Sequence, residues 1–356
     1  MKYIIKEKGS VYCNGNVWQK LQELLDDLNP TKIFILTDEN TSKYCLKHVL
    51  QHINFNNPPL QLTVPAGEHY KTIETCLKLW EDLSEKGADR SSLLINLGGG
   101  MITDLGGFVA STFKRGISFI NIPTSMLAMV DASIGGKNGV DLGVLKNQVG
   151  VINNAHSVII DTHFLKTLPS NELTSGYAEM LKHGLIYSKD YWESLKSFDV
   201  ENVPATEEAI WKSIQIKNEI VTVDPTEQNE RKALNFGHTL GHAIESYCLE
   251  HNEKTTLLHG EAIAIGMILT CYISKELLQF PLLDCKEVSS VILKHFPKVE
   301  FSNEEINAII ELLKYDKKNK NGNIYFVLLN AFGSIKTNCI VRNELIKEAF
   351  DFYKTF

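Results

Sequence analysis

A chain of 356 residues with 44% hydrophobic content is long enough for a sizeable core and for two domains. Its formal net charge of −7, with acidic and basic residues mixed along the chain, excludes a polybasic nucleic-acid binder. Seven dispersed cysteines without a C-x-x-C pair argue against a disulfide scaffold or thiolate zinc site and suit a reducing cytoplasm, so a metal here needs His and carboxylate ligands.

The opening stretch MKYIIKEKGSVY is a short apolar run broken by Lys6 and Glu7. It reads as a first strand and not as a signal peptide. KIFILT (residues 32–37) is a short apolar strand, and CLKLWEDLSEKG (76–87) has helical spacing with a terminal glycine. SLLINLGGG (92–100), ISFINIPTS (117–125) and SVIID (157–161) read as buried strands. Apolar strands alternating with helices predict an α/β domain with a largely parallel sheet over residues 1–168.

Beyond Leu168 the pattern changes. Helical spacing recurs at 172–187, 207–223, 238–249, 260–278, 284–295 and 303–315. One hairpin, NIYFVLLNAFGSIKTN, interrupts the series before a last helix from Asn343. Residues 169–356 therefore read as a mostly α-helical second domain. Its most apolar run, AIAIGMILTCYI (262–273), is too short to span a bilayer and reads as a buried helix.

The first domain carries nucleotide-like features. NLGGGMITDLGGFVA places Gly98, Gly99 and Gly100 after a strand and before a helix, with Met101, Ile102, Thr103 and Asp104 following. Backbone N–H groups there can approach a pyrophosphate, and a helix N-terminus favours its charge. The pattern is not G-x-G-x-x-G, so a tight turn that packs a helix on the sheet is the plain alternative. Asp38 in TDEN and Thr124 with Ser125 in PTS end other strands, and AGEHYK, with Glu68 and Lys71, could form a loop above them.

An acidic chain also holds basic residues in unusual company: Arg115, Lys137, Lys146 beside Asn147, Lys182, Lys217, Arg231, Lys317 and Lys318. Arg115 and Lys137 border glycines and apolar strands. Such a set points to a small anionic substrate, arginine suiting a planar carboxylate and lysine a phosphate. In NFGHTLGHAIES, His238 and His242 stand four apart, and His259 follows in LLHGEAIAIGM. With Glu179 in SGYAEMLKHG, spacing permits two ligand sets, His238–His242–His259 or Glu179–His238–His259. HTLGH lacks the glutamate of H-E-x-x-H, which disfavours a metalloprotease.

The ordered segments GGGMITDLGGFVASTFKRG, IPTSMLAMVDASIGGKNGVD, LKTLP, SGYAEMLKHG, RKALNFGHTLGHAIE and LHGEAIAIGM resemble the 3-dehydroquinate synthases and their sugar-cyclase relatives. The resemblance covers nearly the whole chain. It implies NAD, a divalent metal (zinc first, cobalt second), a homodimer, and conversion of 3-deoxy-D-arabino-heptulosonate 7-phosphate to 3-dehydroquinate and phosphate. It implies Glu179, His238 and His259 as metal ligands. For NAD it implies Asp38, Glu68, Lys71, the turn from Gly98 to Asp104, Thr124, Ser125, Phe164, Leu165, Lys166 and Thr167. For substrate it implies Arg115, Asp131, Lys137, Lys146, Asn147, Lys182, Lys217, Arg231, Asn235, His242 and a lysine of the DKK stretch; Asp131, Lys137 and Lys146 border the cofactor as well. The implied reaction runs through transient oxidation, phosphate elimination, re-reduction, ring opening and aldol closure. NGVDLGVLKNQVG, Ala66 and His183 depart from the commoner family pattern. A sister cyclase is disfavoured because Lys217, Arg231 and Asn235 occur together. A metal-dependent polyol dehydrogenase would not need so many cations, and a catalytically dead binder would not need the full ligand complement.

Overall fold

The computed structural model describes residues 1–143, 145–199, 202–251, 256–315 and 324–356. The chain divides into two compact units, Met1–Pro169 and Ser170–Phe356.

The first unit runs β1 (Lys2–Ile4), β2 (Ser10–Cys13), α1 (Val17–Leu28), β3 (Ile33–Asp38), α2 (Glu39–Tyr44), α3 (Leu46–His52) and β4 (Leu60–Val64). It continues through α4 (Ile73–Glu85), β5 (Leu93–Gly98), α5 (Gly100–Thr112), β6 (Ser118–Pro123), β7 (Lys137–Leu142), β8 (Leu145–Ile152) and β9 (Ser157–Ile160). Seven strands form one sheet in the order β1-β2-β9-β6-β5-β3-β4, parallel except for β1 against β2. The interior strand β5 is buried along its whole length, as expected of a parallel sheet covered on both faces. Phe34, Leu36, Leu94 and Phe119 of the sheet pack with Leu79, Leu105, Phe108 and Val109 of α4 and α5. Burial of each such side chain contributes roughly 1.5–3 kcal/mol against the entropy of ordering.

The opening stretch forms two strands where the sequence suggested one. The Ser10 hydroxyl accepts from Lys6 N–H (3.0 Å) and donates to Lys6 C=O (2.9 Å), which closes the turn between β1 and β2. The β7–β8 hairpin was also not expected. Most of β8 is exposed, so its sequence carries little period-2 signal.

The second unit comprises α6 (Ser170–Tyr187), α7 (Lys189–Leu195), α8 (Val203–Val223), α9 (His238–Glu250), α10 (His259–Leu278), α11 (Leu282–His295), α12 (Asn303–Leu312), β10 (Tyr325–Ala331), β11 (Ser334–Ile340) and α13 (Asn343–Lys354). It is mostly helical, as the spacing predicts; among the described residues, the short α7, capped by Ser188, and the 3₁₀ turn Glu230–Asn235 carry no such spacing. Helix α10 is central and packs on α6, α9, α11, α13 and β10. Its apolar run is buried, and among the described residues no helix is long and apolar enough to cross a membrane.

Two glycines let these helices approach. A Cβ on Gly260 would lie 2.1 Å from Ser175 C=O of α6, and one on Gly266 would lie 2.1 Å from Gly237 C=O at the start of α9. Both obstacles are backbone, so a side chain at either position would push the helices apart. This contact brings the first residues of α9 and α10, His238 and His259, beside Glu179 of α6. All seven cysteines are free thiols.

Candidate active site

The Glu179 carboxylate is fully buried. Its Oε1 lies 3.5 Å from His238 Nε2 and 3.6 Å from His259 Nε2, and Lys182, one helical turn on, pairs with Oε2. His238 Nδ1 is 3.1 Å from Phe236 C=O, so its N–H points there and the Nε2 lone pair faces Glu179. Burial, then the Lys182 charge, push the His238 imidazolium down to about 3, leaving a neutral imidazole. His259 Nδ1 contacts Glu245 Oε2 at 3.0 Å. Burial opposes a charge on His259, but Glu245 and Glu179 outweigh it and push the group up to about 10.

This donor set fits a divalent cation. Two imidazole nitrogens and a buried carboxylate oxygen converge, and the partner on each outer imidazole nitrogen is a carbonyl or a carboxylate, the usual support for a metal ligand. A cation would take over the role of the proton on His259. His242 stands one turn into α9, its ring 5.2 Å from that of His238 and 5.7 Å from that of His259. One nitrogen from each of the three histidines falls within 4.8 Å of the others. Both ligand sets permitted by spacing are thus compatible with the geometry.

Around this group the second unit buries cations. Lys182, Lys217 and Arg231 are nearly inaccessible, and Asn235 is buried too. Helix α6 packs on α8, which carries Lys217, and on the 3₁₀ turn Glu230–Asn235, which carries Arg231 and Asn235. That turn is fixed by Asp224, whose carboxylate accepts N–H bonds from Gln228 (3.0 Å), Asn229 (2.6 Å) and Arg231 (3.1 Å). The Arg231 guanidinium donates to Pro225 C=O at 2.6 Å, and Asn235 donates to Glu227. Buried cations at this density are costly without anions to meet them. Lys317 and Lys318 lie outside the described residues.

In the first unit, the expected strand ends share one edge of the sheet. Gly98 pairs with Pro123, Leu36 with Asn96, and Asn121 with Val158. This register brings Asp38, Gly98, Thr124, Ser125 and the 3₁₀ turn Thr162–Thr167 to the carboxyl ends of parallel strands. Gly99 caps α5 without any side-chain bond, so the first N–H groups of this 13-residue helix can meet an anion. Ile102 and Thr103 are buried, and Met101 is half-buried. Burial pushes the Asp104 carboxyl up to about 6, with Lys71 (3.4 Å) opposing. Asp38 caps α2, accepting from Thr41 N–H at 2.7 Å, so its structural role is present whatever else it binds. Phe164 and Leu165 are buried; Lys166 and Thr167 are exposed.

Lys71 Nζ and Lys146 Nζ each lie 2.6 Å from Glu68 Oε1. Burial opposes the Glu68 charge, but both lysines outweigh it and hold its carboxyl down to about 2. Asp131 and Lys137 are half-buried. Arg115 is exposed beyond the far end of α5, about 20 Å from the glycine turn by helical rise, so the fold of this unit does not bring it to that turn.

Glu245, Asp224, Glu227 and Asp141, whose carboxylate lies 3.0 Å from Lys146 Nζ, stand outside the set expected from the sequence. Glu245 had a signal: it follows His238 by seven and His242 by three, so all three share a face of α9. The other three act through turns, for which no periodic signal exists.

Sequence models of the 3-dehydroquinate synthase N-terminal and C-terminal domains match residues 61–175 and 176–319. The 3-dehydroquinate synthase of Parabacteroides distasonis is 42% identical over 98% of this chain and 99% of its own. The chain belongs to the 3-dehydroquinate synthase family. Relatives of that family in solved structures share the architecture. A 2-deoxy-scyllo-inosose synthase, complexed with carbaglucose-6-phosphate, NAD+ and Co2+, superimposes with a TM-score of 0.80 at 25% identity, covering 96% of each chain. The 2-epi-5-epi-valiolone synthase of Streptomyces hygroscopicus, with NAD+ and Zn2+ bound, reaches a TM-score of 0.84 at 22% identity over 100% of this chain and 99% of its own; at that identity the likeness is one of fold. The 3-dehydroquinate synthase family signature and the buried Glu179–His238–His259 group therefore fall in the same chain, the group lying within the C-terminal family domain.

Proposed function

We propose that this protein converts 3-deoxy-D-arabino-heptulosonate 7-phosphate to 3-dehydroquinate and phosphate, as an NAD- and divalent-metal-dependent carbon–oxygen lyase of aromatic amino acid biosynthesis. The observation that carries the reading is the buried Glu179–His238–His259 group beside Lys182. The NAD+ and Co2+ in the 2-deoxy-scyllo-inosose synthase structure support the choice of cofactors.

When bound, NAD supplies a reversible hydride acceptor and the cation a Lewis acid at a substrate hydroxyl. Glu179, His238 and His259 hold that cation. His242, one turn along α9, faces substrate and moves a proton at its hydroxyl or phosphate. Arg231 meets the planar carboxylate, and Lys182, Lys217, Asn235, Lys137, Lys146 and Asn147 orient phosphate and hydroxyls. Asp131 borders substrate and nucleotide. The uncapped turn from Gly98 to Asp104 takes the pyrophosphate; Asp38, Thr124, Ser125, Glu68, Lys71 and residues 164–167 hold the remainder of the nucleotide. The expected assembly is a homodimer in the cytoplasm. Release of phosphate from the heptulosonate phosphate without net NADH formation tests the reading.

A further inference from the structure

The β7–β8 hairpin carries Lys146 and Asn147, both in the ligand set just proposed. Asp141, on β7, stands outside that set. The antiparallel register of the hairpin shifts between Val140 and Leu142, so Asp141 occupies the irregular position. Its backbone N–H leaves the ladder and donates to Lys71 C=O at 2.9 Å. Its side chain, only 9% exposed, turns the same way.

Both carboxylate oxygens are engaged. Oδ1 accepts the Asn147 N–H at 2.7 Å and lies 4.0 Å from Lys71 Nζ. Oδ2 lies 3.0 Å from Lys146 Nζ. Asn147 has φ +53°, a left-handed conformation that an L side chain adopts only with support. Its carboxamide oxygen accepts from Lys71 Nζ at 2.9 Å. One carboxylate thus fixes two consecutive residues: it pairs with the ammonium of Lys146, which Glu68 also holds, and it accepts from the backbone of Asn147.

We propose that Asp141 is a positioning residue for ligand binding: it presents Lys146 and Asn147 as one preformed unit and ties the hairpin to the Glu68–Lys71 turn. This rests on the reading of the site given above. The physical reason is pre-organisation. A free lysine side chain samples many rotamers, and an anionic ligand would otherwise have to overcome that entropy on binding.

The test compares Asp141→Ala and Asp141→Asn with the wild type. Amide hydrogen exchange at Asn147 is followed in the chain without ligands, and KM for NAD and for the heptulosonate phosphate is measured against kcat. Asp141→Ala should speed exchange at Asn147 about tenfold or more. It should raise one or both KM values about tenfold while kcat stays within about threefold. Asp141→Asn, whose amide oxygen still accepts from Asn147 N–H, should restore slow exchange and recover part of the KM loss. Unchanged exchange in Asp141→Ala overturns the proposal. So does faster exchange with both KM values unchanged, or a fall in kcat alone. A wild type that releases no phosphate sinks the functional reading instead, and the exchange comparison then decides for or against Asp141 by itself.

Discussion

Nδ1 of His259 lies 3.0 Å from Oε2 of Glu245, a carboxylate two turns along the preceding long helix. The contact fixes which nitrogen of His259 faces Glu179 and would raise its basicity toward a metal in the proposed site. Glu245→Ala should weaken zinc affinity about 10- to 100-fold, and Glu245→Gln should fall between it and the wild type. Competition against a chelator measures this; equal affinity in all three proteins would remove Glu245 from the site.

His238 and His242 divide the labour in the proposed site. His238→Ala should lose tightly bound metal. His242→Ala should keep it and lose turnover by about 100-fold or more, as expected for a proton-transfer group. Metal content by elemental analysis separates the two. Loss of metal to the same degree in both variants would favour the three-histidine ligand set instead.

Asp224 gives a prediction with a definite pH sign. Burial opposes its charge, but the N–H groups of Gln228, Asn229 and Arg231 outweigh it and hold the carboxyl below its usual range. The unfolded chain therefore binds the proton more readily. The contribution is fully present above about pH 4 and is lost as pH falls through the lower folded value. Asp224→Ala should cost about 1–3 kcal/mol at neutral pH and flatten the acid limb of the stability profile. Denaturant melts across pH 2–7 (roughly the carboxylate range) check it; parallel profiles for variant and wild type would refute the assignment.

Gly260→Ala should be costly because the added Cβ meets Ser175 backbone at 2.1 Å, and a backbone cannot swing aside as a side chain does. We expect a loss of about 3 kcal/mol in the second unit and weaker metal binding, since His259 is the adjacent residue. Thermal melting with and without zinc reads both effects. An unchanged melt would show that α6 and α10 are not held as close as described.

Much of this was legible in the sequence because it is periodic. Strands β3, β5, β6 and β9 of the parallel sheet and the helices α8, α9 and α10 follow from apolar spacing, whereas the half-exposed edge strand β4 does not, and His238, His242 and Glu245 share a face by arithmetic. Contacts made by turns were not. Asp141 acts from a bulge, Asp224 from a loop, and Glu227 from a left-handed position, so no spacing rule announces them. The glycine before His238 and the one after His259 had a visible pattern but an invisible reason: both serve helix approach, which needs the third dimension.

The most direct measurement supplies the purified protein with NAD, zinc and 3-deoxy-D-arabino-heptulosonate 7-phosphate, and follows phosphate and absorbance at the NADH band together. The account predicts steady phosphate release with no net NADH accumulation, because the hydride is returned in each cycle. Steady NADH production from a simple polyol, with no phosphate released from the heptulosonate phosphate, would contradict it.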